Sequence, residues 1–197
     1  MLTERDRQVL TWIENYKAIT VSQASTLFFN NSYESARRRL KQLEQMELLE
    51  SSISVVLNNK FYFDNKAISD HNLLILEFVK TIKKHGCELI DLKIQPSYLG
   101  DKIRPDAFII FSYNNNVYFI LLEVDYTHYT SNIKMKRYEE LYKTGELQKE
   151  CYNTFPIIVI SRPTKGIRYN SKNFNVVYLD LFYNNVVRLL LQNPVIA

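Results

Sequence analysis

The sequence predicts an α/β (α+β) protein in two parts, a small helical part closed by a hairpin and a larger part built on a covered sheet. Three observations predict this. Up to about residue 48 the apolar residues recur at helical spacing, and turn signals divide the run into three helices. Further on, the strand-like run from Arg104 to Ile110 and the run from Val117 to Asp125 flank a polar tip, Asn114-Asn115-Asn116. Both runs are apolar on both faces, and such a sheet must be covered on both. Finally, 197 residues with only four glycines and five prolines suit one large or two small domains, without long disordered linkers.

The first part spans residues 1–66. Thr3 is placed to cap a helix, with Asp6 completing an approximate capping box. Val9, Leu10, Trp12, Ile13 and Tyr16 supply its apolar face. Ile19-Thr20 leads into a short second helix, Val21 to Phe29, with Val21, Ala24, Leu27 and Phe28 inward. Asn31 and Glu34 form an Asn-x-x-Glu start for a third helix running to about Leu48. Strands near Leu49 to Leu57 and Lys60 to Phe63 follow, with Asn58-Asn59 as a two-residue hairpin turn. Three helices and a β-wing, with a four-residue turn Asn30-Asn31-Ser32-Tyr33 before the third helix, spell a winged helix-turn-helix.

The second part spans residues 67–197. A helix near Asp70 to His85 is stopped by Gly86, and strand Cys87 to Ile94 follows. After the irregular stretch Gln95 to Asp101 come the two apolar strands, then a polar helix that Ser131 caps and that ends near Gly145. A β-run from Phe155 to Ser161, a basic loop from Arg162 to Lys172, a β-run from Phe174 to Leu181 and a helix from Asn184 to Gln192 complete it. The α-β-β-β-α-β order resembles that of the nuclease-like core with PD-(D/E)XK motifs, an order that other αβ folds share.

Two groups of residues carry chemistry. On the third helix Tyr33, Ala36, Leu40 and Leu43 form an apolar back, and Arg38, Lys41 and Gln42 lie opposite, flanked by Ser35 and Arg37. Long donors on an exposed helix face are what base edges and phosphates require. Glu34, one turn before Arg38, is placed to orient that guanidinium, and Lys60 and Tyr62 on the wing suit phosphate contacts. The competing reading is a solvated charged face, or a helix used for protein docking or dimerisation.

The other group is Asp106, Glu123 and Asp125, which the hairpin brings to one end of the sheet. Three carboxylates there are the frame of a divalent-metal site, and magnesium is the ion that hard oxygens suit. The motifs read Pro-Asp and Glu-x-Asp, so the lysine of Glu-x-Lys is absent from its place. Lys134 and Lys136 on the next helix are candidates to replace it, with Lys136 favoured if the site is active, and Glu77 is a candidate further acid. The expected outcome is no cleavage, no cofactor, and weak or no magnesium binding.

Composition narrows the class. No stretch approaches 18 apolar residues, and the charged start MLTERDRQVL lacks the apolar core of a signal peptide, so a cytoplasmic protein without a membrane span is expected. Cys87 and Cys151 follow no ligand spacing and read as free thiols. His71, His85 and His128 lack ligand partners at helical spacing, and only His128 lies near the carboxylates in sequence. There is no phosphate-binding glycine loop or nucleophile elbow. A net charge of +4 permits nucleic acid as a partner.

The stretch LLEVDYTHYTSNIKMKRYEEL, with Glu123, Asp125, Thr127, Lys136 and Tyr138 in register, resembles the replication-relaxation family of plasmids, phages and conjugative elements. The resemblance implies binding of double-stranded DNA in plasmid or phage replication, conjugative transfer or transcriptional regulation. A homodimer is compatible with it. The alternative is a metal-dependent endonuclease targeted by the winged helix.

Overall fold

The computed structural model describes residues 2–163 and 168–191, with the backbone of 195–196. The chain is a mixed α and β protein in two compact units, Met1–Lys84 and His85–Ala197.

In the first unit helix α1 (Glu4–Tyr16) starts in the expected capping box, where the Thr3 and Asp6 side chains each accept from the other's backbone. Strand β1 (Ile19–Thr20) follows, and Thr20 caps α2 (Val21–Phe28) in a second box with Gln23. Asn30 and Asn31 both take left-handed φ values, 49° and 64°, which asparagine tolerates better than most residues. They form the turn, so Ser32 rather than Asn31 is the N-cap of α3 (Tyr33–Gln45). Strands β2 (Glu50–Ser54) and β3 (Asn59–Phe63) pair in a hairpin with Ser54 opposite Asn59. The expected two-residue turn is therefore the four residues 55–58. β1 adds to the free side of β3, giving the order β1-β3-β2. Val9, Trp12, Ile13, Ala24, Ala36, Leu40 and Leu43 are all buried. Tyr33, expected inward, is 45% exposed because the helix has only begun there.

Helix α4 (Asp70–Lys84) completes this unit. Gln23 Nε2 donates to the Leu73 carbonyl at 3.2 Å and Lys80 Nζ to Ser22 Oγ at 3.2 Å. The sequence reading puts the boundary after residue 66. The compact units instead meet after Lys84, because polar side chains of α2 hold α4. Helical periodicity does not reveal which neighbour a helix packs on.

The second unit contains β4 (Glu88–Ile94), β5 (Ala107–Tyr113), β6 (Asn116–Val124), α5 (Asn132–Thr144), α6 (Glu146–Glu150), β7 (Ile157–Arg162), β8 (Val176–Asp180), α7 (Val187–Leu190) and β9 (Val195–Ile196). The sheet order is β4-β5-β6-β7-β8, with β9 pairing to β6. β4, β5 and β6 are antiparallel, whereas β6–β7 and β7–β8 are parallel. A parallel pair needs a crossover, and α5 and α6 supply it between β6 and β7. Asn114 and Asn115 have φ 49° and 61° and form a two-residue turn, so Asn116 already belongs to β6. Phe119 and Leu121 pack in one cluster with Met135, Tyr138 and Leu141 of α5. Ile120 and Leu122 alternate to the opposite face and are also fully buried, as the both-faces-apolar pattern requires. Part of the expected basic loop, residues 164–167, and Gln192 of the expected last helix lie outside the described residues. Cys87 and Cys151 are buried, and among the described residues neither forms a disulfide. No helix among the described residues is long and apolar enough to cross a membrane.

Candidate nucleic-acid interface and carboxylate cluster

The basic run of α3 divides into separate roles. Arg37, Arg38, Lys41 and Gln42 are exposed, and Ser35 is half-buried. Among the described residues Arg38 and Lys41 form no ion pair, although the Lys41 charge helps lower the Glu44 carboxyl. Glu34 engages Arg37 rather than Arg38, accepting from Nε at 3.0 Å and from NH2 at 2.8 Å. Arg39 turns to α1, where its Nε lies 2.7 Å from Asp6 Oδ1 and its NH2 2.6 Å from Oδ2. Asp6 is buried and also accepts from the Thr3 amide at 2.6 Å. The Arg39 guanidinium holds the Asp6 carboxyl well below the usual carboxylate range. Gln42 accepts from Arg39 NH1 at 2.8 Å, and Ser35 accepts from the Ser32 hydroxyl at 2.8 Å.

The wing offers less than expected. Tyr62 is 1% exposed, because β3 is the central strand of its sheet and Phe61, Tyr62 and Phe63 are all covered. Burial raises the Tyr62 hydroxyl above its ordinary pKa. Lys60 spends its charge on Glu44 at 3.0 Å and lies 4.9 Å over the Tyr62 ring. Tyr62 is therefore not a surface phosphate contact.

At the sheet end of the second unit, the register Ala107↔Leu122 brings Asp106 beside Glu123. The Asp106 amide donates to the Leu122 carbonyl at 3.0 Å, and Asp106 Oδ2 accepts from the Val124 amide at 2.7 Å. Glu123 is 2% exposed. Lys134 Nζ stands 2.5 Å from its Oε2, and the Tyr138 hydroxyl donates to its Oε1. Burial pushes the Glu123 carboxyl up to about 7. Lys134 and Tyr138 pull the other way, and the Asp106 charge adds to the rise. Lys134 and Tyr138 are four residues apart and share the helix face that meets the sheet. Lys136 lies on another face and is exposed, so the lysine at Glu123 is Lys134.

Asp125 is equally occupied. Its Oδ1 accepts from the Thr130 amide at 2.7 Å and from the Thr130 hydroxyl at 2.6 Å, and Arg162 NH2 lies 2.7 Å from Oδ2. The Arg162 guanidinium in turn sits 4.8 Å over the Tyr178 ring and 5.7 Å from that of Tyr129. Arg162 is nearly buried at the end of β7. The sequence gives it away only as an arginine directly after an apolar strand, and its partner cannot be read locally.

This donor set does not fit a divalent cation as it stands. Both Glu123 oxygens, Asp125 Oδ1 and Asp106 Oδ2 already accept from donors, and Asp125 Oδ2, which accepts no hydrogen bond among the described residues, is held in the ion pair with Arg162. Among the described residues no group of three His, Cys, Asp or Glu is arranged to hold a metal. Glu77 is engaged within the first unit by Lys80 and by Gln23 Nε2 at 3.3 Å, and His128 is exposed.

Compared with known proteins, the chain matches no family model, no curated protein and no solved structure.

Proposed function

We propose that the chain is a DNA-binding protein of a mobile genetic element, acting on double-stranded DNA in replication, conjugative transfer or transcriptional regulation. The observation that carries this reading is α3, where Arg38 and Lys41 face solvent above the buried Ala36, Leu40 and Leu43. In this reading the first unit is a winged helix-turn-helix, α2 and α3 the helix pair and β2–β3 the wing. Arg38 reads base edges, Lys41 contacts phosphate, and Arg37 contributes only on leaving Glu34. The second unit corresponds to a PD-(D/E)XK nuclease-like core, supported by its mixed strand order and by Asp106 and Glu123 on neighbouring strands. The resemblance to the replication-relaxation family supports the choice of process.

Capture of genomic and plasmid fragments by purified protein, followed by sequencing, tests this. One enriched duplex motif is expected. Replacing Arg37, Arg38 and Lys41 together by alanine should abolish the enrichment, and unchanged duplex affinity in that variant would remove α3 from the role.

One observation favours a second reading, a metal-dependent endonuclease: Lys134 at Glu123 supplies a lysine that Glu-x-Asp lacks. Because the carboxylates are already occupied, no magnesium-dependent nicking of plasmid DNA is expected. Nicking that disappears in both Glu123→Gln and Lys134→Ala would establish the enzyme instead.

A further inference from the structure

The sheet end that carries these carboxylates is bordered by exposed cationic side chains and exposed tyrosines. Inside, Lys134 faces Glu123 and Arg162 faces Asp125, so two of the three carboxylates have a cation beside them. Outside, Lys102, Arg104, Lys136 and Arg137 are all exposed. Of the neighbouring acids, Asp101 sits 3.5 Å from Arg104, Glu139 accepts from Tyr169 and Asn173, and Glu140 lies one turn beyond Lys136 on α5. Arg137 NH1 donates to the Lys102 carbonyl at 2.9 Å, which ties the small hairpin closed by Tyr98 and Ile103 to α5. The basic residues of these two segments therefore lie side by side.

The loop between β6 and α5 adds Tyr126 and Tyr129, 36% and 61% exposed. The loop is held firmly. Asp125 grips Thr130, and Arg162 lies under Tyr129. It sits at the carboxyl ends of the parallel strands β6 and β7, where open α/β sheets bind their ligands. Exposed aromatic rings and exposed cations are the two parts of a single-strand site: cations follow the backbone, and unpaired bases stack on rings. A duplex offers the cations its phosphates but gives the rings no base face.

We propose that the second unit carries a nucleic-acid contact of its own, in which Tyr126 and Tyr129 stack the bases of a single strand whose phosphates lie along Arg104, Lys136 and Arg137. The proposal rests on the nucleic-acid reading above and adds a second substrate form, single-stranded DNA, at a site separate from α3.

The test is fluorescence anisotropy of the full chain with a labelled oligothymidine, an abasic oligomer of the same length, and a duplex. Tyr126→Ala with Tyr129→Ala should weaken oligothymidine binding by about tenfold or more, and the two phenylalanine replacements should retain it. The abasic oligomer should bind more weakly than oligothymidine. Arg38→Ala with Lys41→Ala should weaken the duplex and leave oligothymidine unchanged. If this variant spares the duplex, the α3 reading fails while the single-strand site stands. If it abolishes oligothymidine binding, or the tyrosine pair can be removed without effect, or the abasic oligomer binds equally well, the single-strand site is overturned.

Discussion

Arg38 and Asp125 each lie close in sequence to a residue of like charge, and the two units dispose of them in opposite ways. In the first unit α3 leaves Arg38 and Lys41 facing water. In the second unit Asp125 is closed off by Thr130 and Arg162, and Glu123 by Lys134 and Tyr138. A charge that the protein has already satisfied is part of its architecture, whereas one left in water is available to a ligand. The contrast also runs inside α3, where Arg39 is satisfied by Asp6 and its neighbour Arg38 is not.

The largest expected effect breaks the second-unit side of this comparison. Arg162→Ala leaves Asp125 buried without its cation and should cost about 3–5 kcal/mol in urea denaturation at neutral pH. Adding Asp125→Asn should restore part of that loss. A cost below about 1 kcal/mol would make the pair no stronger than a surface bridge and would remove the contrast.

Glu123 gives the next effect, through pH. Its carboxyl titrates at about 7 in the folded protein, above its ordinary value, because burial disfavours the charge. Between the unfolded and folded values the native state holds the extra proton, so this group makes stability fall as pH rises from about 4.5 to about 7. Wild type should therefore lose about 3 kcal/mol relative to Glu123→Gln between pH 5 and pH 8. Parallel pH profiles of the two proteins would show that Glu123 is ionised throughout and simply paired with Lys134.

Within α3, Arg39→Ala should cost about 2 kcal/mol of stability, since it strands the buried Asp6. Asp6 is depressed, so its contribution is present above the unfolded carboxylate value and is lost as pH falls below about 4. The acid limb of the wild-type stability curve should flatten in the variant. Arg38→Ala should change stability by less than about 0.5 kcal/mol yet weaken specific duplex binding by about 1–3 kcal/mol. A reversal of these two phenotypes would mean that the α3 face has been assigned backwards.

What the sequence made legible is what depends on neighbours along the chain. The Thr3–Asp6 box, the Ser131 cap, the Asn114-Asn115 turn and the two-faced apolar strands all rest on contacts within a few residues or on period alone. Pairings across the fold were hidden. Asp6 meets Arg39 from 33 residues away, and no local spacing announces it. Arg162 reaches Asp125 only because β6 and β7 are parallel neighbours. Tyr62 looked like a surface residue because alternation alone does not say that β3 is the central strand. Lys134, unlike Lys136, sits one helical turn before Tyr138 and so shares its face of α5.

The smallest expected effect compares one serine in each unit. Ser131 and Ser32 both precede helices as N-caps in extended conformation. The Ser131 hydroxyl accepts from the Lys134 amide at 3.2 Å, satisfying a donor that the helix leaves open. The Ser32 hydroxyl makes no such bond and donates instead to Ser35 Oγ, while its carbonyl still accepts from the Ala36 amide at 3.1 Å. Ser131→Ala should therefore cost about 1 kcal/mol of local stability, and Ser32→Ala about 0.3 kcal/mol or less. Native-state hydrogen exchange separates the units. The Lys134 amide should exchange about fivefold faster in Ser131→Ala, and the Ser35 amide should hardly change in Ser32→Ala. Because Lys134 is also the cation at Glu123, loosening its helix turn should shift the Glu123 titration further upward. An unchanged titration would show that Lys134 is held at the carboxylate by the sheet-facing packing of α5 alone, independently of its cap.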